Sequence, residues 1–466
     1  MSRPIQQQAR CFRISNRGGS YSPKFPPSMR MTRSTATRTT RSTAAPTSHQ
    51  ARGQRTPAVI IGLDCLPGIQ TARILAENGV PVIGIARDPN HPFSHTNTCD
   101  AILFTKLGQN ELMSVLEGIS SQFDQKAVLY PCTDASVLLV SRNREALQQH
   151  YHIALPEPET LEMLMDKTSF FRFAREHGLP VPATFFLRTR AEAFAASKQI
   201  PFPCIMKPGF KTSNWERNAA GAKAYLLSSS QEFLAAYDRC SSWAESIVAQ
   251  EWVRGKDSDL YSCNCYFDAN SRPVTTFVAR KLRQNPPILG VSASGEECRN
   301  DTVLKQTVKL FASVRLRGLG YLEMKRDAHS GQYRIIEPNI GRPTGRSAIA
   351  EAGGVPLIYS MYCDLVGLPL PAQREQTYQG AKWIYFKKDL ASSWYYWQKG
   401  ELTLGQWVRS LRGHKRDAVF SWSDPIPFLL DWWTPLRDLM LRGWRLLRQG
   451  EVQPLVRDSQ TRSPLP

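Results

Sequence analysis

Apolar positions along the chain change their spacing twice. Ala58-Val59-Ile60-Ile61 is a continuous apolar run, followed by Gly62 and by Leu63-Asp64-Cys65-Leu66-Pro67-Gly68. That order predicts a strand, a turn and a helix start. The helix is expected from Ile69 to Asn78, closed by Gly79 in the C′ position. A second apolar run, Val82-Ile83-Gly84-Ile85-Ala86, follows. A helical period near Glu111–Phe123 and a third run, Ala127-Val128-Leu129-Tyr130, come next. Strands alternating with helices predict a parallel α/β sheet across 58–150, a Rossmann-like domain. Its first turn lacks the GxGxxG glycines that let backbone approach a pyrophosphate, so a domain without NAD is expected. Thr133-Asp134 after the third run either lines a substrate cleft beyond the strand ends or caps the next helix; capping is preferred.

From about residue 151 the pattern becomes α+β. Short helices are expected at Pro158–Met165 and Lys167–His177, the latter closed by Gly178. Strands are expected at Ala183–Leu187, Cys204–Lys207, Lys223–Leu227, Ile247–Val253, Asp259–Asp268 and Val274–Leu282. A helix at about 301–317 then precedes strands Gly320–Arg326 and Tyr333–Glu337. Residues 372–466 have a third composition: eight of the eleven tryptophans lie after residue 380, among many arginines. The plan is therefore a tail (1–57), a Rossmann-like unit (58–150), a central α+β unit (151–371) and an aromatic, basic extension (372–466).

The net charge of +19 does not describe the whole chain. Residues 1–57 hold eleven Lys/Arg and no acid, leaving +8 for the rest. No interleaved basic and aromatic strand pattern is present, so nucleic acid is not an expected partner. The first segment cannot bury enough apolar surface to offset its chain entropy and is read as disordered. Its Arg/Ser-rich composition fits a transit peptide; the preferred alternative is a dispensable tail, or a start nearer Met29 or Met31. No apolar run reaches 18 residues, the length that would span a bilayer. The ten cysteines include no CxxC pair, and Cys263 and Cys265 are read as buried reduced thiols of a cytoplasmic protein. His91 and His95 are four apart, but Pro89 and Pro92 argue against a helix that would make them joint ligands.

The chemistry lies in the central unit. Cys204-Ile205-Met206-Lys207-Pro208 is a strand ending in lysine, and Gln250-Glu251-Trp252-Val253 leads through Arg254-Gly255-Lys256 to Asp257. Glu323 lies one β-hairpin before Ile336-Glu337-Pro338-Asn339. Acids on neighbouring strands, with an amide, aim oxygen ligands at one point, as Mg²⁺ requires. In this order the motifs resemble the ATP-grasp superfamily over roughly residues 58–370, in a divergent carboxylate–amine ligase-like branch whose Glu-Pro-x-x-Gly-Arg replaces the commoner metal motif.

That resemblance implies ATP and Mg²⁺ (or Mn²⁺) as cofactors and small-molecule carboxylate and amine substrates joined through an acyl phosphate. It implies that Lys167 and Lys207 contact phosphates, that Gln250, Glu251 and Val253 hold adenine, and that Asp257 accepts from ribose hydroxyls. Glu323, Glu337 and Asn339 become the metal ligands. Lys281 and Arg283 face the γ-phosphate or acyl phosphate, Arg342 follows the metal motif, and Arg342 and Arg346 bind the carboxylate. The loop 208–221 departs from the glycine-rich pattern of the superfamily, keeping only Gly209 and Gly221, with Lys211, Arg217 or Lys223 as substitutes. This departure supports a rival reading, a non-catalytic nucleotide-binding scaffold or sensor. Individually the residues have plainer readings: Glu323 and Lys325 as an exposed charge pair, Glu337 as a turn cap, Lys207 as a solvated strand end. In the extension, Trp394-Tyr395-Tyr396-Trp397, Trp432-Trp433 and a basic helix over Pro435–Arg448 suit either peripheral membrane contact or packing on the catalytic body.

Overall fold

The structure, a computed structural model, describes residues 55–106, 108–209, 213–219 and 224–434. The expectations for residues 1–54, for Lys211, Gly221 and Lys223, and for the helix over 435–448 lie outside the described residues.

The first sheet is parallel: β1 (Ala58–Ile61), β2 (Val82–Ala86), β3 (Ala101–Phe104), β4 (Ala127–Pro131) and β5 (Tyr151–His152), in the order β3-β2-β1-β4-β5. All four β1 side chains are buried, as a strand covered on both faces requires. The helix after it, Leu66–Glu77, begins three residues earlier than the pattern suggested, because Pro67 suits the first turn. Gly68 is dictated by packing: a Cβ there would sit 2.1 Å from the Gly62 carbonyl oxygen, so only glycine lets the helix close on the turn.

The second sheet is antiparallel, in the order β6-β9-β7-β8, from β6 (Thr184–Leu187), β7 (Cys204–Pro208), β8 (Tyr225–Leu227) and β9 (Ile247–Glu251). Helices Arg190–Ser197 and Ser230–Cys240 cover it around Phe233, Trp215 and Met206.

The third sheet carries β10 (Leu260–Phe267), β11 (Pro273–Asn285), β12 (Val291–Glu297), β13 (Gly318–Arg326), β14 (Tyr333–Ile340), β15 (Lys382–Ile384) and β16 (Lys415–Asp417). Their order is β14-β13-β10-β11-β12-β15-β16. Strand alternation divides its faces. Cys263, Cys265 and Phe267 pack with Phe311 of helix Asp301–Ser313, while Ser262 and Asn264 face the opposite side with Glu323 and Tyr321. The nine described cysteines are free thiols.

The extension is not separate from this body. β15 and β16 complete the third sheet, and Trp383 and Ile384 are buried. Asp424, fully buried, accepts from Arg73 Nε and Nη2 at 2.9 and 2.8 Å, from Thr96 Oγ1 at 2.6 Å and from the Asn97 backbone at 3.0 Å. The described part of the extension is thus bonded to the first sheet's unit as well. Among the described residues, no helix is long and apolar enough to cross a membrane.

Candidate functional site

Lys207 is the penultimate residue of β7, and its side chain is buried. Its Nζ donates to Gln250 Oε1 at 3.0 Å on neighbouring β9 and lies 5.2 Å from the Phe171 ring centroid. Gln250 in turn donates from Nε2 to Thr184 Oγ1 on β6, so three strands fix the lysine. Burial lowers the Lys207 pKa to about 8; the nearby charge of Lys167 adds to the fall and that of Glu337 opposes it. Lys167 opens helix Lys167–Glu176, whose N-cap is Asp166. Glu251 is tied to the strand edge: its Oε2 accepts from the Ala183 backbone at 3.1 Å. Val253 is buried just beyond the strand.

On the third sheet, Glu323 of β13 lies directly opposite Glu337 of β14, and Asn339 is two residues along from Glu337, opposite Tyr321. Glu323 is buried and accepts from Lys281 Nζ at 3.0 Å and Tyr321 OH at 3.0 Å. Desolvation raises its pKa, but the Lys281 ammonium, with Arg346 and the Tyr321 hydroxyl, outweighs it and the carboxyl is held below its ordinary value. Lys325 is buried over the Trp252 ring at 4.3 Å, so Glu323 and Lys325 are not an exposed surface pair. Glu337 pairs within β14 and does not cap a turn. The residues present fit a hard cation: two facing carboxylates and an amide oxygen supply oxygen donors, with phosphate and water to complete the shell. Among the described residues no group of three or more His, Cys, Asp or Glu gathers, so any metal set here includes the amide.

Arg342 reaches from the loop after β14 to Asp134 Oδ1 at 2.6 Å and Asn339 Oδ1 at 3.0 Å. Thr133 caps the helix Asp134–Arg142 through a capping box with Ser136, while Asp134 itself turns to Arg342. Arg346 is buried and donates from Nη2 to Ser262 Oγ at 2.7 Å and Tyr321 OH at 3.1 Å. Its Nε and Nη1 are buried without a hydrogen-bond partner, as is Asn264 Nδ2. Arg346 crosses β12 at Gly295, where a Cβ would stand 2.8 Å from its Cδ and Nη1.

Arg283 stands apart from this group. The register of β11 against β12 slips between Lys281 and Arg283, which breaks the alternation that would have kept both on one face. Arg283 instead grips Asp389 at 2.7 and 3.0 Å and donates to Ser410 Oγ at 2.9 Å, so it is spent on the extension. Asp257 is also largely occupied. Its Oδ2 accepts from the Gln284 backbone at 2.9 Å and from Tyr396 OH at 2.6 Å, and its Oδ1 accepts from Gln284 Nε2 at 2.8 Å.

No protein-family model matches the chain. Over 237 residues it is 24% identical to a D-aspartate ligase of Enterococcus faecium, covering 49% of this chain and 56% of that protein. It is 20% identical over 190 residues to a D-alanine–D-alanine ligase of Pseudomonas putida, covering 38% and 54%. The chain thus spans little more than half the length of either ligase. The structure of N5-carboxyaminoimidazole synthetase from Staphylococcus aureus superposes with a TM-score of 0.54 at 14% identity, over 69% of this chain and 79% of that one. These relatives are ATP-grasp proteins, and the chain shares the fold of the solved one.

Several groups in this site escaped the motif reading. Ser262, Asn264 and Tyr321 line the face beside Arg346, and Gln284 links Lys281 to Asp257. Strand parity could have found Ser262, opposite Glu323, and Tyr321, two residues from it and opposite Asn339, and through Tyr321 its partner Asn264. Nothing local marks Tyr396, which reaches Asp257 from 139 residues away.

Proposed function

We propose that this protein, as an ATP-grasp enzyme, ligates a carboxylate to an amine at the expense of ATP. The observation that carries the reading is the pairing of Glu323 with Glu337 across β13 and β14, with the Lys281 ammonium bonded to Glu323. A carboxylate attacking the γ-phosphate brings anions together, and this arrangement opposes that repulsion with fixed cations. Glu323, Glu337 and Asn339 would hold Mg²⁺, which supplies charge neutralisation at the phosphates when bound. Lys167 and Lys207 hold phosphate oxygens, Lys281 faces the transferring group, and Gln250, Glu251 and Val253 edge the adenine site. Arg342 and Arg346 orient the substrate carboxylate; the two unpartnered nitrogens of Arg346 are donors suited to it.

In the reaction a carboxylate oxygen bonds to the γ-phosphorus as the bond to ADP breaks. The amine then bonds to the acyl carbon, phosphate leaves, and one amine proton is released. The similar ligases are named for D-aspartate and D-alanine, which makes amino acids the first substrate class to try. The test is ADP and phosphate release from pools of carboxylates and amines, with the Glu337→Ala variant in parallel. Release that requires both an acid and an amine, and that the variant lacks, is expected. Turnover with the acid alone, leaving a stable phosphorylated product, would show a phosphotransferase. Nucleotide binding without turnover in every pool would show a sensor or scaffold.

A further inference from the structure

The helix Phe386–Gln398 has two unlike faces. Its inner face is anchored: Asp389, Ser392 and Ser393 are buried, and Asp389 receives bonds from Arg283, from Ser294 Oγ at 2.5 Å and from Trp407 Nε1 at 3.0 Å. The outer face carries Leu390, Trp394 and Trp397, which are 43%, 58% and 53% exposed. Their spacing of four and then three residues puts them in one stripe, and the two indoles lie 4.8 Å apart. The next helix, Leu404–Ser410, presents Leu404 and Val408, 68% and 40% exposed, one turn apart. The first helix is fixed by its buried polar contacts, and Trp407 and Ser410 tie the second to Asp389 and Arg283, so neither can roll to hide these side chains. Exposed apolar faces on two successive helices mark an interaction site.

The surrounding charge identifies the partner. Lys399, Arg409, Arg412 and Lys415, at the end of the first helix and along and after the second, are exposed, and Glu401 is the sole acid from Lys399 to Lys415. Tryptophans flanked by cations match the membrane–water boundary, where indoles sit at headgroup depth and Lys and Arg meet anionic lipid. A second copy of the chain is a poorer occupant, because a twofold contact would set this basic patch against itself. We propose that the outer faces of helices Phe386–Gln398 and Leu404–Ser410 form a docking surface for an anionic lipid bilayer. This is peripheral contact. It does not depend on the ligase reading, since no residue of the proposed nucleotide or metal site takes part.

The test is sedimentation of the full chain with vesicles of phosphatidylcholine alone, or of phosphatidylcholine with phosphatidylglycerol, at low and high salt. The comparison is the double variant Trp394→Ser/Trp397→Ser, whose thermal transition confirms that it folds. The expected result is binding to the anionic vesicles that weakens with salt and falls about tenfold or more in the double variant. Four results would overturn the proposal: no binding to the anionic vesicles, equal binding to both compositions, unchanged binding by the double variant, or a dimer in solution that the same variant dissolves while vesicle binding is absent.

Discussion

Tyr396→Phe tests how the extension bears on the nucleotide site. The substitution removes one hydroxyl and leaves the ring. In the native chain that hydroxyl donates at 2.6 Å to Asp257 Oδ2, which also takes the Gln284 backbone N–H. Burial and the Asp257 charge push the Tyr396 pKa up, so it remains a donor across the neutral range. A hydrogen bond to a charged group contributes about 1.5–3 kcal/mol. Asp257 keeps both Gln284 bonds, so the cost to stability should lie at the lower end, about 1.5 kcal/mol. The effect on binding should have the opposite sign. If Asp257 accepts from the ribose, Tyr396 competes for the same oxygen, and its removal frees an acceptor of similar worth. ATP affinity should rise by about tenfold, the equivalent of about 1.4 kcal/mol. Titration calorimetry with ATP and with 2′,3′-dideoxy-ATP separates the ribose from everything else: the gain should appear for ATP and not for the analogue. Equal changes for both nucleotides, or weaker ATP binding in the variant, would refute the argument and leave Asp257 as a clasp for the extension.

Lys207 supplies a pH prediction. Its folded pKa of about 8 lies below the ordinary lysine value, so between the two the unfolded chain binds more protons. The penalty of burying the ammonium is therefore present below about pH 8 and relieved as pH rises through that value, whereas phosphate binding favours the charged form. ATP binding at about pH 8.5 should take up a proton, seen as a dependence of the calorimetric enthalpy on buffer ionisation heat, and a Lys207→Met variant should lose that dependence. Asp424→Ala should cost about 3–5 kcal/mol in denaturant unfolding, because it leaves the Arg73 guanidinium buried without its counter-charge. A loss under about 1 kcal/mol would place this pair with weak surface ion pairs.

What was legible in the sequence was mostly local. Glu323 and Glu337 belong to one hairpin, so a short connection brings them together, but a register shift between Glu323 and Met324 sets Glu323 opposite Glu337 where parity from the turn would give Ile336. The slip between Lys281 and Arg283 defeats the same parity rule, because a bulge depends on how β11 and β12 fit and leaves no mark in composition. β15 and β16 are three residues each, too short for alternation to register, and their burial comes from the sheet they join. Gly295 carries meaning only because Arg346 crosses it, 51 residues later in the chain. The aromatic cluster at 394–397 shows the difference most clearly. As a string it is four similar rings. Once Asp389 is pinned inward by Arg283, helical period decides the rest: Ser392, Ser393 and Tyr396 follow it at three, four and seven residues and turn inward, and Leu390, Trp394 and Trp397 are left outside. A single buried ion pair thus determines which tyrosine meets Asp257 and which tryptophans face the surroundings.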